Sequence, residues 1–291
     1  MYSSTDGGAN WAVTGAPTSQ LQTWKSIASS TDGTKLVAAG AYALTRHIYT
    51  STDSGASWTT TSAPNLSWYS VASSADGSKL VAAAWNNNVI YTSGDSGASW
   101  SPNTVPSNYW YSVASSADGT KLIAVAYDGG IFTSTNSGVA WTSNSVPNAG
   151  WQSAACSTDG TQLMAAASGW IYTSSDSGAN WTSNNVPNTN YWTSVTCSAD
   201  GTRLVAVAAT GQIYTAQPAP APAPTLNIGP LGSGVAISWA APSEGFHLQS
   251  NSVLTATGWG DVGTAPTTAN GQKQVTLPSS AARTFYRLKS P

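Results

Sequence analysis

The stretch IYTSTDSGASW, Ile48 to Trp58, returns as IYTSGDSGASW at Ile90, IFTSTNSGVAW at Ile131 and IYTSSDSGANW at Ile171, and MYSSTDGGANW opens the chain at Met1. The motif tryptophans Trp11, Trp58, Trp100, Trp141 and Trp181 stand 47, 42, 41 and 40 residues apart. A fixed period of that size is the mark of a repeat architecture. Between these copies runs a second signature: WKSIASSTDGTKLVAA from Trp24, WYSVASSADGSKLVAA from Trp68, WYSVASSADGTKLIAV from Trp110, WQSAACSTDGTQLMAA from Trp151 and WTSVTCSADGTRLVAV from Trp192.

Each unit holds short apolar runs bounded by turn residues, which is the pattern of strands. Asp-Gly at Asp32, Asp76, Asp118, Asp159 and Asp200 separates two such runs and is expected to supply the positive φ angles of a tight hairpin. We read four strands per unit: A (WYSVASS), B (KLVAAA), C (VIYTS) and an outer D beginning near the motif tryptophan. Four strands in about 40 residues is the size of a propeller blade.

The pattern S-x-D-x-G-x-x-W in Ser4–Trp11, Ser51–Trp58, Ser93–Trp100 and Ser174–Trp181, with Asn136 in place of the acid in Ser134–Trp141, resembles the Asp-box, or BNR, repeat. Five A strands imply five blades, so we expect an all-β chain whose residues 1–216 form a five-bladed β-propeller of four-stranded blades; the resemblance covers the same segment. It makes Asp6, Asp53, Asp95, Asn136 and Asp176 structural residues of the turn between the third and fourth strands, on the blade periphery away from the ligand face. The chemistry suits the role: a short carboxylate caps N–H groups of its own turn, and the tryptophan packs beneath. Six C strands against five A strands lead us to expect the strand after Asn10 to complete the last blade and close the ring. The alternative is a piece of a longer array.

Residues 217–224 (QPAPAPAP) alternate Pro and Ala, the composition of an extended spacer. Beyond it, 225–291 reads as five or six short strands of a small β-sandwich. Its FxLQS…W…FYRLKSP pattern resembles a C-terminal β-module appended to secreted proteins of environmental bacteria, which implies an extracellular or cell-surface location. A signal peptide is absent from this chain, and we expect one to have been removed.

Charged residues make up 8% of the 291, with formal net charge −2, 14 Trp and 12 Tyr, against about 25% charged in ordinary proteins. Ten Lys and Arg with no basic run offer no supply for phosphate neutralisation, so nucleic acid is excluded as a partner. No apolar run reaches the length of a membrane span.

Asp-box propellers include sialidases, which raises an enzymatic reading. A sialidase-like site needs three arginines and a Tyr–Glu pair; the propeller segment has Arg46 and Arg203, and the one Glu of the chain is Glu244 in the tail. Of ten Asp in residues 1–216, nine belong to boxes or Asp-Gly hairpins, leaving Asp128 alone. Glycoside hydrolysis needs two carboxylates in one cleft, so no catalytic residue, metal site or cofactor is expected. Cys156 and Cys197 occupy equivalent positions in neighbouring units and are expected to be buried free thiols.

If boxes and A–B hairpins share one face, the D–A and B–C loops share the other. There we place the ligand candidates: the five A-strand tryptophans Trp24, Trp68, Trp110, Trp151 and Trp192, and the irregular B–C residues Trp85, Asn86, Asn87, Asn88, Tyr127, Asp128 and Trp170. The A-strand tryptophans are equally suited to wedging neighbouring sheets, whereas packing symmetry does not explain Trp85 and Trp170. Aromatic faces beside amides suit an uncharged sugar. The expected function is a monomeric, lectin-like binding module for a glycan or polar polymer, with a protein-interaction scaffold as the alternative and a degenerate glycosidase as the third reading.

Overall fold

The computed structural model describes residues 1–17, 23–41, 46–85, 88–186, 191–217, 224–240, 246–254, 257–269, 271–279 and 283–289. The chain divides into two compact units, Met1–Pro218 and Ala219–Pro291. Every regular element among the described residues is a β-strand, and none is a helix long and apolar enough to cross a membrane.

Unit 1 opens with a hairpin of β1 (Tyr2–Ser3) and β2 (Ala12–Val13). Four antiparallel four-stranded sheets follow. The first holds β3 (Thr23–Ser29), β4 (Leu36–Ala41), β5 (Ile48–Ser51) and β6 (Thr59–Thr60). The second holds β7 (Trp68–Ser73), β8 (Leu80–Ala84), β9 (Val89–Ser93) and β10 (Ser101–Pro102). The third holds β11 (Trp110–Ser115), β12 (Leu122–Ala126), β13 (Ile131–Ser134) and β14 (Thr142–Ser143). The fourth holds β15 (Trp151–Cys156), β16 (Leu163–Ala167), β17 (Trp170–Ser174) and β18 (Thr182–Ser183). A fifth sheet has three strands, β19 (Trp192–Cys197), β20 (Leu204–Ala208) and β21 (Ile213–Ala216). Strand order within each sheet is sequence order, as the A-to-D reading requires.

Successive A strands β3, β7, β11, β15 and β19 pack side by side, while the outer strands do not, so the sheets fan out from a shared inner edge. Small and branched B-strand residues fill the space between fans. Between the first and second sheets Val37, Ala39 and Ile48 meet Trp68, Val71, Leu80 and Ala82, and the next three interfaces repeat the arrangement. The serine of W-x-S adds a bond to each interface: Val71, Val113, Ala154 and Val195 donate their N–H to the hydroxyls of Ser26, Ser70, Ser112 and Ser153 at 3.0–3.1 Å. A belt of backbone bonds, Thr31 to Ala75, Ala75 to Ala117, Ala117 to Thr158 and Thr158 to Ala199, ties the A–B hairpins together.

Three expectations are corrected. The strand after Asn10 does not complete the last sheet: β2 pairs with β1, and β21 has no outer partner among the described residues. The Asp-Gly hairpins take positive φ only at glycine (Gly33 71°, Gly77 69°, Gly119 67°), because Ser30, Ser74 and Ser116 close a turn onto the glycine N–H at 3.0 Å and leave the aspartate free to cap. Cys156 and Cys197 are free but only half-buried; desolvation pushes the Cys156 thiol up to about 12 and raises that of Cys197.

Among its described residues, unit 2 contains seven strands in two antiparallel sheets. One orders β22 (Asn227–Leu231), β23 (Gly234–Ala240), β27 (Gln272–Pro278) and β26 (Thr267–Ala269), the other β25 (Gly260–Asp261), β24 (His247–Asn251) and β28 (Phe285–Lys289). Ile237, Trp239, Leu248 and Val275 form its core. Gln249 accepts two bonds from Arg287 at 3.0 and 2.8 Å and donates to Asp261, while Arg287 lies 4.4 Å over the Trp259 ring. The Q, W and R of the tail pattern thus build one polar staple.

Candidate functional site

The periodic acids are turn caps in this structure. Asp53 accepts from the Ser57 N–H at 2.8 Å and from the Ser51 hydroxyl at 2.7 Å, Gly55 donates its N–H to Ser51 Oγ, and Trp58 Nε1 donates to the Gly55 carbonyl. Asn136 makes the same bonds through its Oδ1. Bonding to the charged form holds Asp6, Asp53 and Asp95 at about 2. The box turns of the first four sheets each lean on the A–B hairpin of their own sheet, as in the Ser54 N–H to Thr34 carbonyl bond, so both occupy one face. The B–C loops meet the D–A segments on the other: Trp85 bonds to Ser67, Tyr127 to Tyr109 and Ala209 to Tyr191 through the backbone.

On that second face the A-strand tryptophans divide. Trp68, Trp110, Trp151 and Trp192 are fully buried in the inter-sheet cores, with no surface for a ligand, and Trp24 is half-buried against Tyr49. Their role is to wedge the sheets. The residue after each tryptophan behaves differently, because a β-bulge interrupts the A–B ladder there in all five sheets. A bulge leaves one residue unpaired and re-aims its side chain. The bulged residues are Lys25, Tyr69, Tyr111, Gln152 and Thr193.

Tyr69 and Tyr111 consequently meet each other at 4.6 Å between ring centroids, with their hydroxyls 3.2 Å apart. Trp85 sits above them, 5.5 Å from Tyr69, 5.3 Å from Tyr111, 5.2 Å from Tyr109 and 5.7 Å from Tyr127. Tyr127 stacks on Tyr111, and the Lys25 ammonium lies 4.9 Å over Tyr69. The neighbouring Tyr191 hydroxyl, by its charge and its hydrogen bond, raises the phenol of Tyr127, with desolvation and Asp128 adding to the effect. The result is a continuous aromatic floor edged by hydroxyls, contributed by the second and third sheets, with Lys25 of the first sheet and Tyr191 at the start of the fifth beside it.

Of the irregular candidates, Trp85 and Tyr127 lie in this cluster and Asp128 is exposed beside it. Asn88 takes a φ of 56° and its Oδ1 is buried without a partner. Trp170 is half-exposed, and its ring contact among the described residues is with Tyr172, apart from the floor. Asn86 and Asn87 lie outside the described residues. Sequence reasoning missed Lys25, Tyr69 and Tyr111. The signal was present: the position after the tryptophan is the most variable one in an otherwise repetitive signature.

No group of three His, Cys, Asp or Glu among the described residues is arranged to hold a metal ion. No family model matches the chain, and no curated protein matches it. Solved structures do. YCF48 bound to D1 peptide superposes with a TM-score of 0.53 at 14% identity, over 76% of this chain and 77% of that one. An ancestral GH74 enzyme gives 0.57 at 16%, over 95% of this chain but 45% of its own length. A nidogen/laminin complex gives 0.53 at 14%, over 68% and 81%. Together with the repeated fanned sheets, these likenesses define unit 1 as a β-propeller.

Proposed function

We propose that unit 1 is a non-enzymatic Asp-box propeller whose aromatic floor binds an extended, uncharged segment of a protein partner outside the cell or at its surface. The carrying observation is the Tyr69–Trp85–Tyr111–Tyr127 cluster. Aromatic side chains with a polar tip are enriched where proteins dock, because one group supplies apolar area and a directed bond. Grooves lined by such rings also take extended peptides at low ordering cost. Lys25 and Asp128 set one charge of each sign beside the cluster, so the segment recognised is itself nearly neutral. Neighbours of the same fold are described as bound to D1 peptide and as part of a nidogen/laminin complex, which supports the protein-partner reading over the glycan one.

A non-catalytic role is supported by the acids, nine of which are engaged in their own turns. Glycan binding is the second reading, favoured by Trp170, whose exposed ring stands apart and is free to stack on a sugar. The full chain is to be tested on an array of neutral peptides and on a glycan array. We expect peptide capture that Trp85→Ala and Tyr111→Ala each weaken about tenfold or more and Trp170→Ala leaves unchanged. Glycan capture lost in Trp170→Ala, with no peptide retained, would replace the first reading by the second.

A further inference from the structure

Every internal interface of the propeller but one is closed at its outer end by an indole. Trp100 caps the core between the first and second sheets, Trp141 the next and Trp181 the third. Between the fourth and fifth sheets the same floor is present, made of Met164, Ile171, Val186, Leu204, Ala206 and Tyr214, without an indole. A cavity of about 310 Å³, lined by those six residues together with Asn184, Asn185, Thr215 and Ala216, stands in its place. The reason is the fifth sheet, which among the described residues has three strands, with no box turn and no outer strand.

The chain also carries the missing part, unseated. Trp11 is 64% exposed although its four counterparts are half-buried, and Val13 on β2 is exposed as well. The faces behind these features match. On the fifth sheet Ile213 is 70% exposed where Ile48, Ile90, Ile131 and Ile171 are buried, and Val205 and Val207 are only half-covered. On the first sheet Ile27 is 54% exposed where Val71, Val113, Ala154 and Val195 are buried. Ser194 is exposed, whereas Ser26, Ser70, Ser112 and Ser153 accept an N–H from the position equivalent to Ile27 in the next sheet. Among the described strands, none of the first sheet packs substantially against one of the fifth within one chain.

We propose that these surfaces form a fifth interface of the same kind, between two copies of this chain. The N-terminal hairpin of the second copy completes the fifth sheet, Trp11 enters the cavity beside Met164, Ile171 and Ala206, Ile27 covers Val207, and Ser194 accepts the Ile27 N–H. Strands β1 and β21 are both third-position strands, so poorly buried β21 yields its place beside β20 to the incoming β1. Donor and acceptor surfaces differ, so the contact is heterologous and propagates into a ring or an open array. This departs from the monomer expected from sequence.

Two measurements test it. Sedimentation of the unaltered chain at rising concentration is expected to show mass above 29.7 kDa, with Trp11→Ala weakening association about tenfold or more. Ile27→Cys and Val207→Cys are then placed in separate chains, each also carrying Cys156→Ser and Cys197→Ser; three other repeats already have serine there. Mixing and oxidising the two is expected to give a disulfide-linked pair that neither gives alone. A constant mass of 29.7 kDa, no linked pair on mixing, or a link formed only within single chains carrying both cysteines would each overturn the proposal.

Discussion

At the residue scale, the periodic aspartates are anchors, and their titration sets an acid limit. Six of them, Asp6, Asp53, Asp95, Asp118, Asp159 and Asp200, are held at about 2 by hydrogen bonds to the charged form, and Asp32, Asp76 and Asp176 are lowered from the same cause. Folded values below unfolded ones mean that the unfolded chain binds protons first. The stabilisation is complete above the unfolded value near 4 and is lost as pH falls toward 2. Thermal midpoints are therefore expected to be flat from pH 7 to about 5 and to drop steeply below about 4; a flat profile down to pH 2.5 would remove the aspartates from the account. Asn136 shows that the cap needs an oxygen acceptor more than a charge, so Asp95→Asn should lower the midpoint less than Asp95→Ala in a scanning calorimeter. The box serines Ser54, Ser96, Ser137 and Ser177 sit at φ 57–60°, where the first box has Gly7. A left-handed conformation costs a non-glycine residue about 1–2 kcal/mol, partly offset by the looser unfolded chain of glycine. Ser137→Gly, which keeps the backbone bond to Thr120, is expected to raise the midpoint.

At the scale of the element, the A strand does two jobs separated by one bulge: its tryptophan wedges sheets and the next side chain faces the mouth. Trp68 Nε1 donates to the Pro64 carbonyl at 3.1 Å, whereas the indole N–H groups of Trp110, Trp151 and Trp192 are buried with no protein partner. Losing a satisfied donor costs more than losing an orphan one, by about 1–3 kcal/mol. Trp110→Phe is thus expected to destabilise less than Trp68→Phe in urea unfolding, and equal losses would point to a solvent partner for Trp110. The four strands per unit were legible because each is bounded by a turn residue in nearly identical copies. The mouth was less legible. A bulge is one unpaired residue in a strand whose alternation otherwise continues, and Tyr69 reads as an ordinary solvent-side position until the register shift at Trp68–Ser70 is seen. The irregular B–C loops were the better guide, and they gave Trp85 and Tyr127.

At the scale of the whole molecule, unit 1 is a linear stack in which each sheet is stabilised by its neighbours. Repeat stacks behave as sums of unit and interface terms, so units with one neighbour are weakest. The second and third sheets are each packed on both faces by four-stranded neighbours and the fourth by the third on one face and the three-stranded fifth on the other, while the fifth has one packed face and an unfilled cavity in it. The first sheet has partial cover on its outer side, where the Gly15 N–H bonds to the Gly55 carbonyl and Ala16 is buried. Opening should therefore begin at the fifth sheet. Hydrogen exchange in dilute solution is expected to release the amides of β20 and β21 first, well before those of β8, β12 and β16, with β4 between. Raising the protein concentration should then slow β20 selectively, because a second copy supplies the neighbour this sheet lacks. Uniform protection across all five sheets in dilute solution would mean that the stack is already closed, and the gradient together with its concentration dependence would be lost.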